Sequence, residues 1–335
     1  MDDIEFLKDR AVKRDDLGFE EAKEIWEMGK EKPFLVLSKA NEIVRAHKGR
    51  SVSLCMIVNA KSGLCTEDCK FCAQSVHYRT DITTYPLLDE MEILARAKHA
   101  KEEGAHYFGI VTSGRSLKSS REWETIQSAT SKIKDLGLKP CASLGFIDEE
   151  EARRLKRSGL FRYHHNLETS RDFFKNICTT HGYEEKVETI KNAKKAGLSV
   201  CSGGIIGMGE GIEDRIKLAL TLRELDVDSV PINILNPRPG TPLYGTPPLS
   251  PLEILISIAI FRFLLPKKDI KICAGKEIHL RQLLPLAFVA GCNSIMTGSY
   301  LTTSGRSPKL DKEMIEDLGL SWHVAEDELC LEKKI

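Results

Sequence analysis

Ser51-Val-Ser-Leu-Cys-Met-Ile-Val58, followed directly by Asn59-Ala-Lys-Ser-Gly-Leu-Cys65-Thr-Glu-Asp-Cys69-Lys-Phe-Cys72, is where the chain changes character. Upstream, Glu20–Met28 and Leu35–Ala46 space their apolar residues by three and four, with charges between them, which predicts helices over the first fifty residues. From Ser51 onward, short apolar runs alternate with charged amphipathic stretches. The runs predict strands at Val52–Val58, Tyr107–Thr112, Lys139–Leu144, Phe161–Asn166, Ser199–Ile205, Ser229–Ile234, Ile270–Ala274 and Ser294–Thr297. Helices are expected between them at Met91–Glu103, Ser120–Leu136, Asp148–Ser158, Tyr183–Ala196, Ile212–Leu225, Pro251–Leu264 and Glu277–Ala290. Gly104, Gly137, Gly159 and Gly197 stand where helix exits need a left-handed cap. About eight strand–helix alternations in roughly 250 residues fit an α/β fold of the (β/α)8 TIM-barrel type. A doubly wound sheet is the rival, because local pattern does not say whether a sheet closes. The barrel is preferred, over residues 51–303, with a helical cap of residues 1–50 across its floor and a polar C-terminal extension of residues 304–335.

The wider composition narrows the function classes. The 335 residues balance 49 Lys+Arg against 49 Asp+Glu, and 41% are hydrophobic, so a full core is available and a nucleic-acid partner is not expected. The longest apolar run, Ile254–Leu265, is interrupted by Arg262, so no membrane span is expected. Met1-Asp-Asp-Ile-Glu lacks the basic-then-apolar order of a secretory signal, and a cytoplasmic location follows as the expectation. In such a reducing compartment, ten cysteines point to metal binding or chemistry rather than disulfides.

Cys65, Cys69 and Cys72 follow the first predicted strand at spacings of four and three. Thiolates suit soft metals, and a closed zinc site wants four ligands. His77, five residues past Cys72, lies outside the usual tight spacing, so a zinc knuckle is the weaker reading. Three thiolates on a four-iron cube leave one iron open to another ligand.

With Phe71 before the last cysteine, this motif resembles the radical S-adenosylmethionine superfamily. Asn59 to Ser75 resembles the biotin synthase family almost residue for residue, as do Tyr163-His-His-Asn-Leu-Glu-Thr-Ser170, Cys201-Ser-Gly-Gly-Ile-Ile-Gly-Met-Gly-Glu210 and Val230-Pro-Ile-Asn-Ile-Leu235. The likeness runs from about Val52 to Thr303. It implies a 4Fe-4S cluster on Cys65, Cys69 and Cys72, with the open iron chelated by S-adenosylmethionine. One electron from the reduced cluster would release a 5′-deoxyadenosyl radical, which takes hydrogen from two carbons of dethiobiotin so that sulfur can bridge them. The cofactors carry that chemistry; the protein binds, orients and excludes water. By the same resemblance Phe71, Asn166, Glu168, His181, Gly203 and Ile205 face the cofactor, and Asn233 bonds the ureido ring of dethiobiotin. A neutral amide suits a neutral urea. An external one-electron donor (flavodoxin or ferredoxin) and a homodimer are implied as partners.

The sequence departs from the family at the auxiliary cluster, usually a 2Fe-2S centre held by three cysteines and an arginine. Cys141 and Cys201 match two of them, but Gly109 stands where the third cysteine belongs. The arginine segment reads Lys271-Ile-Cys273-Ala-Gly-Lys276, and lysine does not replace a planar guanidinium. Cys273 shares a strand face with Lys271. The expectation is a rearranged set of Cys141, Cys201 and Cys273 holding 2Fe-2S or a larger variant, with Cys292 able to join. A lost second cluster is the alternative. Cys55, Cys178 and Cys330 read as ordinary small residues, and His181, near a family arginine position, reads equally as a helix-entry histidine.

Two other function classes stay open. A related radical enzyme, of the hydrogenase maturase or methylornithine-forming type, would yield deoxyadenosine without biotin. A non-catalytic iron–sulfur sensor would be coloured yet would not cleave the cofactor.

Overall fold

The computed structural model describes residues 3–14 and 16–323. Helices α1 (Asp3–Lys13), α2 (Phe19–Glu31) and α3 (Pro33–Lys48) precede the strands β1 (Ser53–Lys61), β2 (Tyr107–Thr112), β3 (Lys139–Ser143), β4 (Arg162–His164), β5 (Ser199–Cys201), β6 (Gly204–Ile206), β7 (Ser229–Ile234), β8 (Asp269–Ile272) and β9 (Ser294–Met296). Between and after the strands run α4 (Glu90–Glu102), α5 (Ser120–Asp135), α6 (Glu149–Arg157), α7 (Arg171–Phe174), α8 (Tyr183–Lys195), α9 (Ile212–Glu224), α10 (Pro251–Leu264), α11 (Lys276–Leu280), α12 (Leu286–Val289) and α13 (Pro308–Asp317). The helix starts are chemically marked. Asp89, Ser119 and Asp148 each accept a hydrogen bond from the N–H three residues on, while Glu92, Glu122 and Glu151 reach back to the cap. At the exits of α5 and α8, Gly137 and Gly197 take φ of 80° and 74°, as their positions in the sequence predict.

Every strand pair is parallel, and the sheet closes. β5 pairs with β4 on one side and, through Cys201 and Ser229, with β7 on the other. β5 and β6 are two pieces of one barrel strand, broken at Ser202–Gly203, so nine segments form an eight-stranded barrel. Closure removes the doubly wound alternative. Gly203 and Gly204 explain the break: a Cβ on them would come within 2.0 Å of the Pro231 carbonyl oxygen and 2.2 Å of the Glu168 carbonyl oxygen. The expected helix Glu277–Ala290 is likewise split into α11, a 3-10 turn at Arg281–Leu283 and α12. Arg281 adopts φ 50°, and Pro285 lacks the N–H that a continuous helix would use.

The N-terminal helices do not simply close the floor. α2 and α3 lie along the flank, packed on α10 and, for α2, on α9. The reason is in α10 itself, which is buried on every side from Ile254 to Leu264 and therefore needs cover on its outer face. Arg262 survives inside that helix because each of its nitrogens is used. Nε donates to the Gly291 carbonyl at 2.9 Å, Nη1 to the carbonyls of Leu265, Pro266 and Lys268, and Nη2 to Asn293 Oδ1 at 2.9 Å. Burial lowers its pKa to about 10, so it remains a cation. Beyond residue 303, α13 follows β9 and runs back to α4, where Lys312 donates to the Glu103 carbonyl. Among the described residues, no helix is long and apolar enough to cross a membrane.

Candidate active site

The segment after β1 is a tightly laced loop. Gly63 N–H donates to Gln74 Oε1, Cys65 N–H to the Gln74 carbonyl, and Val76 N–H back to the Cys65 carbonyl at 2.8 Å. Ser75 Oγ donates to the Glu67 carbonyl, and His77 Nε2 sits 3.0 Å from the Thr66 carbonyl, so His77 braces the loop rather than adding a ligand. Cys72 N–H donates to the Cys69 carbonyl, which curls the last two cysteines around one turn. Their sulfurs do not form a single-ion cage. The three loop sulfurs are not all within 4.8 Å of one another, whereas a tetrahedral zinc ion with ~2.3 Å bonds would hold sulfurs about 3.8 Å apart. Burial pushes the Cys72 thiol up to about 11, with the neighbouring Cys65 and Glu168 charges adding to it, so a cationic partner is what would hold it as thiolate.

Cys72 and Phe71 form one wall of a cavity of about 560 Å³ inside the mouth of the barrel. Across it stand Asn166 and Glu168, at the exit of β4, and Ile205 on β6. Glu168 is held in the left-handed region, φ 73°, a conformation that costs an ordinary residue free energy and persists only where neighbours enforce it. They do: Glu168 N–H donates to the Gly203 carbonyl at 3.1 Å, and its own carbonyl accepts from Ile205 N–H at 2.9 Å. Asn166 Oδ1 accepts from Gly203 N–H, and Asn166 Nδ2 reaches Glu168 Oε2 at 3.3 Å. Burial raises the Glu168 carboxyl pKa, a cost that an ammonium group or a pair of hydroxyls would offset. Gly203 does not line the cavity; it fixes this corner from behind. Glu210 also turns away, accepting from Gly207 and Met208 N–H and from Arg215, so it shapes the turn. Because Gly204 leaves no room beside the Glu168 carbonyl, a Gly204→Ala chain is expected to lose about 1–3 kcal/mol of stability and to displace Glu168. A lowered melting temperature by scanning calorimetry checks it.

Deeper in the lumen the strands bring four cysteines together. Cys55, Cys141, Cys201 and Cys273 come from β1, β3, β5 and the exit of β8, and all line the same cavity. Two buried cations face them. Lys271 Nζ lies 3.9 Å from Cys201 Sγ. Arg162, on β4, stacks over Tyr107 at 4.7 Å and donates to Ser199 Oγ. Burial opposes ionisation of Cys201, but Lys271, His164 and Arg162 outweigh it and bring that thiol down to about 6. Burial and the adjacent Cys55 push Cys141 up to about 12 against the pull of Arg162 and Lys271, and burial raises Cys273. Lys271 stays protonated: burial opposes its charge, and Cys201, Cys55 and Cys273 more than compensate. Four soft donors, two of them raised by burial, stand beside two buried cations in one cavity, a set chemically suited to a soft metal.

Sequence reasoning missed two members of this group. Cys55 reads as a small apolar residue in a strand, yet it and Ile57 share the inward face of β1, and alternation along the strand carried that signal. Arg162 restores a planar guanidinium from a different strand once Lys271 has taken the usual position. Two expected positions fall elsewhere. Cys292 is buried beside Arg262, away from the lumen. Cys330, read as an ordinary residue, is outside the described residues. His181 does not reach the cavity; its Nδ1 lies 2.5 Å from Glu67 Oε2, and its ring packs against Phe146 and Phe174. Asn233 does line it, with Nδ2 donating to the Gly204 carbonyl at 3.2 Å and Oδ1 accepting from Ala274 N–H at 3.3 Å.

Comparison with known proteins bears on these two centres. Residues 61–222 match the radical SAM superfamily, and residues 231–321 match the biotin and thiamin synthesis associated domain. Among solved structures, a methylornithine synthase superposes with a TM-score of 0.83 at 21% identity, covering 97% of this chain and 99% of that one. The FeFe-hydrogenase maturase from Carboxydothermus hydrogenoformans superposes with 0.80 at 15% identity, covering 96% of this chain and 80% of that one. At such identities these share the fold alone. Sequence relatives are much nearer. The biotin synthase of Pelobacter propionicus is 50% identical over 313 residues, 93% of this chain and 95% of its own length. That of Geobacter sulfurreducens is 49% identical over 320 residues, 95% of this chain and 97% of its own length. That of Heliobacterium modesticaldum is 52% identical over 280 residues, 83% of this chain and 86% of its own length. With half of its residues shared across nearly its whole length, and with the loop, the Asn166–Glu168 corner and the lumenal thiols in one barrel, the chain belongs to the biotin synthase family.

Proposed function

We propose that this barrel converts dethiobiotin to biotin by inserting one sulfur atom between two carbons, with Cys65, Cys69 and Cys72 holding the 4Fe-4S cluster and Cys55, Cys141, Cys201 and Cys273 holding the auxiliary one. The observation that carries the proposal is that all four lumenal thiols share a single cavity with Cys72, Glu168 and Asn233. As a radical SAM enzyme of this family, the protein uses a 4Fe-4S cluster, S-adenosylmethionine and an auxiliary iron–sulfur cluster. The reaction breaks two C–H bonds and forms two C–S bonds; when bound, the cofactors supply the one-electron chemistry for the first and the sulfur for the second. The chain's own residues do the rest. Phe71 and Ile205 provide apolar walls for a bound cofactor, Asn166 and Glu168 accept its polar groups, and the barrel wall keeps water from a reactive carbon. Arg162 and Lys271 balance charge on the lumenal thiolates. A one-electron donor of flavodoxin or ferredoxin type, a cytoplasmic setting and a homodimer complete the reading.

Anaerobically reconstituted, reduced protein given S-adenosylmethionine and dethiobiotin is expected to release biotin, detected by mass spectrometry. Deoxyadenosine with no biotin would overturn the assignment in favour of another radical reaction. Asn233 keeps one amide N–H and one carbonyl lone pair free for a urea after its two backbone bonds. Asn233→Ala is therefore expected to weaken dethiobiotin binding by at least about tenfold, by isothermal titration, while deoxyadenosine formation without substrate stays as it was.

A further inference from the structure

Cys178 and His181 have no part in the chemistry above. Both are buried, at 4% and 7% exposure, on the segment between α7 and α8, and neither lines the cavity. They meet the cysteine loop from outside. Cys178 Sγ lies 3.9 Å from Cys69 Sγ, and the His181 ring nitrogens lie 3.3 and 3.6 Å from Cys178 Sγ. Ligand atoms of Cys69, Cys178 and His181 all fall within 4.8 Å of one another, and among the described residues this is the one such trio. The sulfur separation matches the roughly 3.8 Å edge of a tetrahedral zinc–thiolate site. Around it stands the support that metal-bound histidines use: Glu67 takes His181 Nδ1 at 2.5 Å, leaving Nε2 for a cation, and Thr180 Oγ1 donates to Glu67 at 2.9 Å. Asp68 locks the segment by accepting from the Thr179 and Thr180 N–H groups at 2.8 and 3.1 Å. Spacing of Cys178-Thr-Thr-His181 places both ligands on one turn.

We infer that, in the chain before its loop cluster is assembled, Cys69, Cys178 and His181 form a mononuclear site for a thiophilic divalent cation such as Zn²⁺, with one coordination position left open. Binding displaces the two thiol protons to solvent and leaves the metal's oxidation state unchanged. Cys69 cannot serve this ion and the iron cube together, so occupancy and cluster assembly exclude each other. Zinc is then a competitor of cluster insertion, acting through Cys178, a residue that the assembled active site does not require.

Cobalt(II) is the probe, because tetrahedral thiolate coordination gives it thiolate charge-transfer and visible ligand-field bands. Cluster-free, full-length protein titrated anaerobically with Co²⁺ is expected to bind one equivalent fewer as Cys178→Ser than as wild type, with that equivalent displaced by Zn²⁺. Cys65→Ala, which would break any site made from the loop cysteines together, is expected to keep the full count. His181→Gln is expected to weaken this equivalent by at least about tenfold. A second readout is iron uptake: one equivalent of Zn²⁺ should block loop-cluster reconstitution in wild type and not in Cys178→Ser. Equal Co²⁺ counts in wild type and Cys178→Ser, or a loss of the same equivalent in Cys65→Ala, overturns the inference. None of these results bears on whether the loaded enzyme makes biotin, so this inference and the proposed function fail separately.

Discussion

Replacing Cys72 by alanine is expected to remove the loop cluster and with it every turnover of S-adenosylmethionine. Cys72 is the loop cysteine that lines the cavity, on the same wall as Phe71 and across from Glu168. A cube held by only two thiolates exposes two irons instead of one, and the chelating ligand loses its defined partner. Anaerobically reconstituted Cys72→Ala protein should therefore carry about four fewer iron atoms per chain than wild type, and its deoxyadenosine formation should fall at least about 10³-fold, the scale seen when an essential catalytic component is deleted. The fold should survive. Loop geometry rests on backbone bonds of Cys65, Cys72, Ser75 and Val76 and on the Gln74, Ser75 and His77 side chains, none of which needs the Cys72 sulfur. An unchanged circular dichroism spectrum with normal deoxyadenosine yield would remove these cysteines from the mechanism.

Much of the barrel was legible because its physics is local. Strand and helix alternate at a fixed period, and a glycine at helix exits such as Gly137 announces a left-handed turn that few other residues accept. What stayed hidden depends on closure. The break between β5 and β6 arises because Gly203 and Gly204 are pressed against the Pro231 and Glu168 carbonyls, partners about 30 residues away that no local window contains. The seat of α2 and α3 on the barrel's flank follows from α10 being apolar all round, a property visible in the sequence but ambiguous until its neighbours are known. Proline 285 was a readable warning against one continuous helix over Glu277–Ala290.

The site divides the same way. That Cys65, Cys69 and Cys72 share one loop was legible from spacing alone, because four- and three-residue steps keep them within a few turns of backbone. Glu168 was found through a motif, while its strained backbone and its bond to the Gly203 carbonyl belong to the folded barrel. His181 lies off the cavity wall for a specific reason: its ring meets a carboxylate, Glu67, on the cysteine loop, and packs between two phenylalanines. Arg162 could not be found without knowing that β4 sets it beside Tyr107 and within the field of Cys141 and Cys201.

Cys55→Ser is the sharpest test of the lumenal centre, since no resemblance singles out that residue and only the closed barrel does. Were Cys55 merely a small apolar side chain, the change would cost about 1–2 kcal/mol for a buried hydroxyl and leave the iron content untouched. Its position argues otherwise. Cys55 is in register with Met296 on β9 and Tyr107 on β2, adds to the field that raises Cys141 and Cys273, and helps hold Lys271 protonated. A polynuclear centre spanning β1, β3, β5 and β8 would lose one of its four thiolates. Expected results are iron and sulfide counts lowered by the auxiliary centre's share, deoxyadenosine formation kept within about threefold of wild type, and biotin yield below about a hundredth of it. Cys292→Ser, a buried cysteine beside Arg262 and remote from the lumen, serves as the control and should alter none of the three. If Cys55→Ser keeps full iron and full biotin yield, the centre is built from Cys141, Cys201 and Cys273 without it. Loss of deoxyadenosine formation along with the biotin would instead mean that the two centres are not separable.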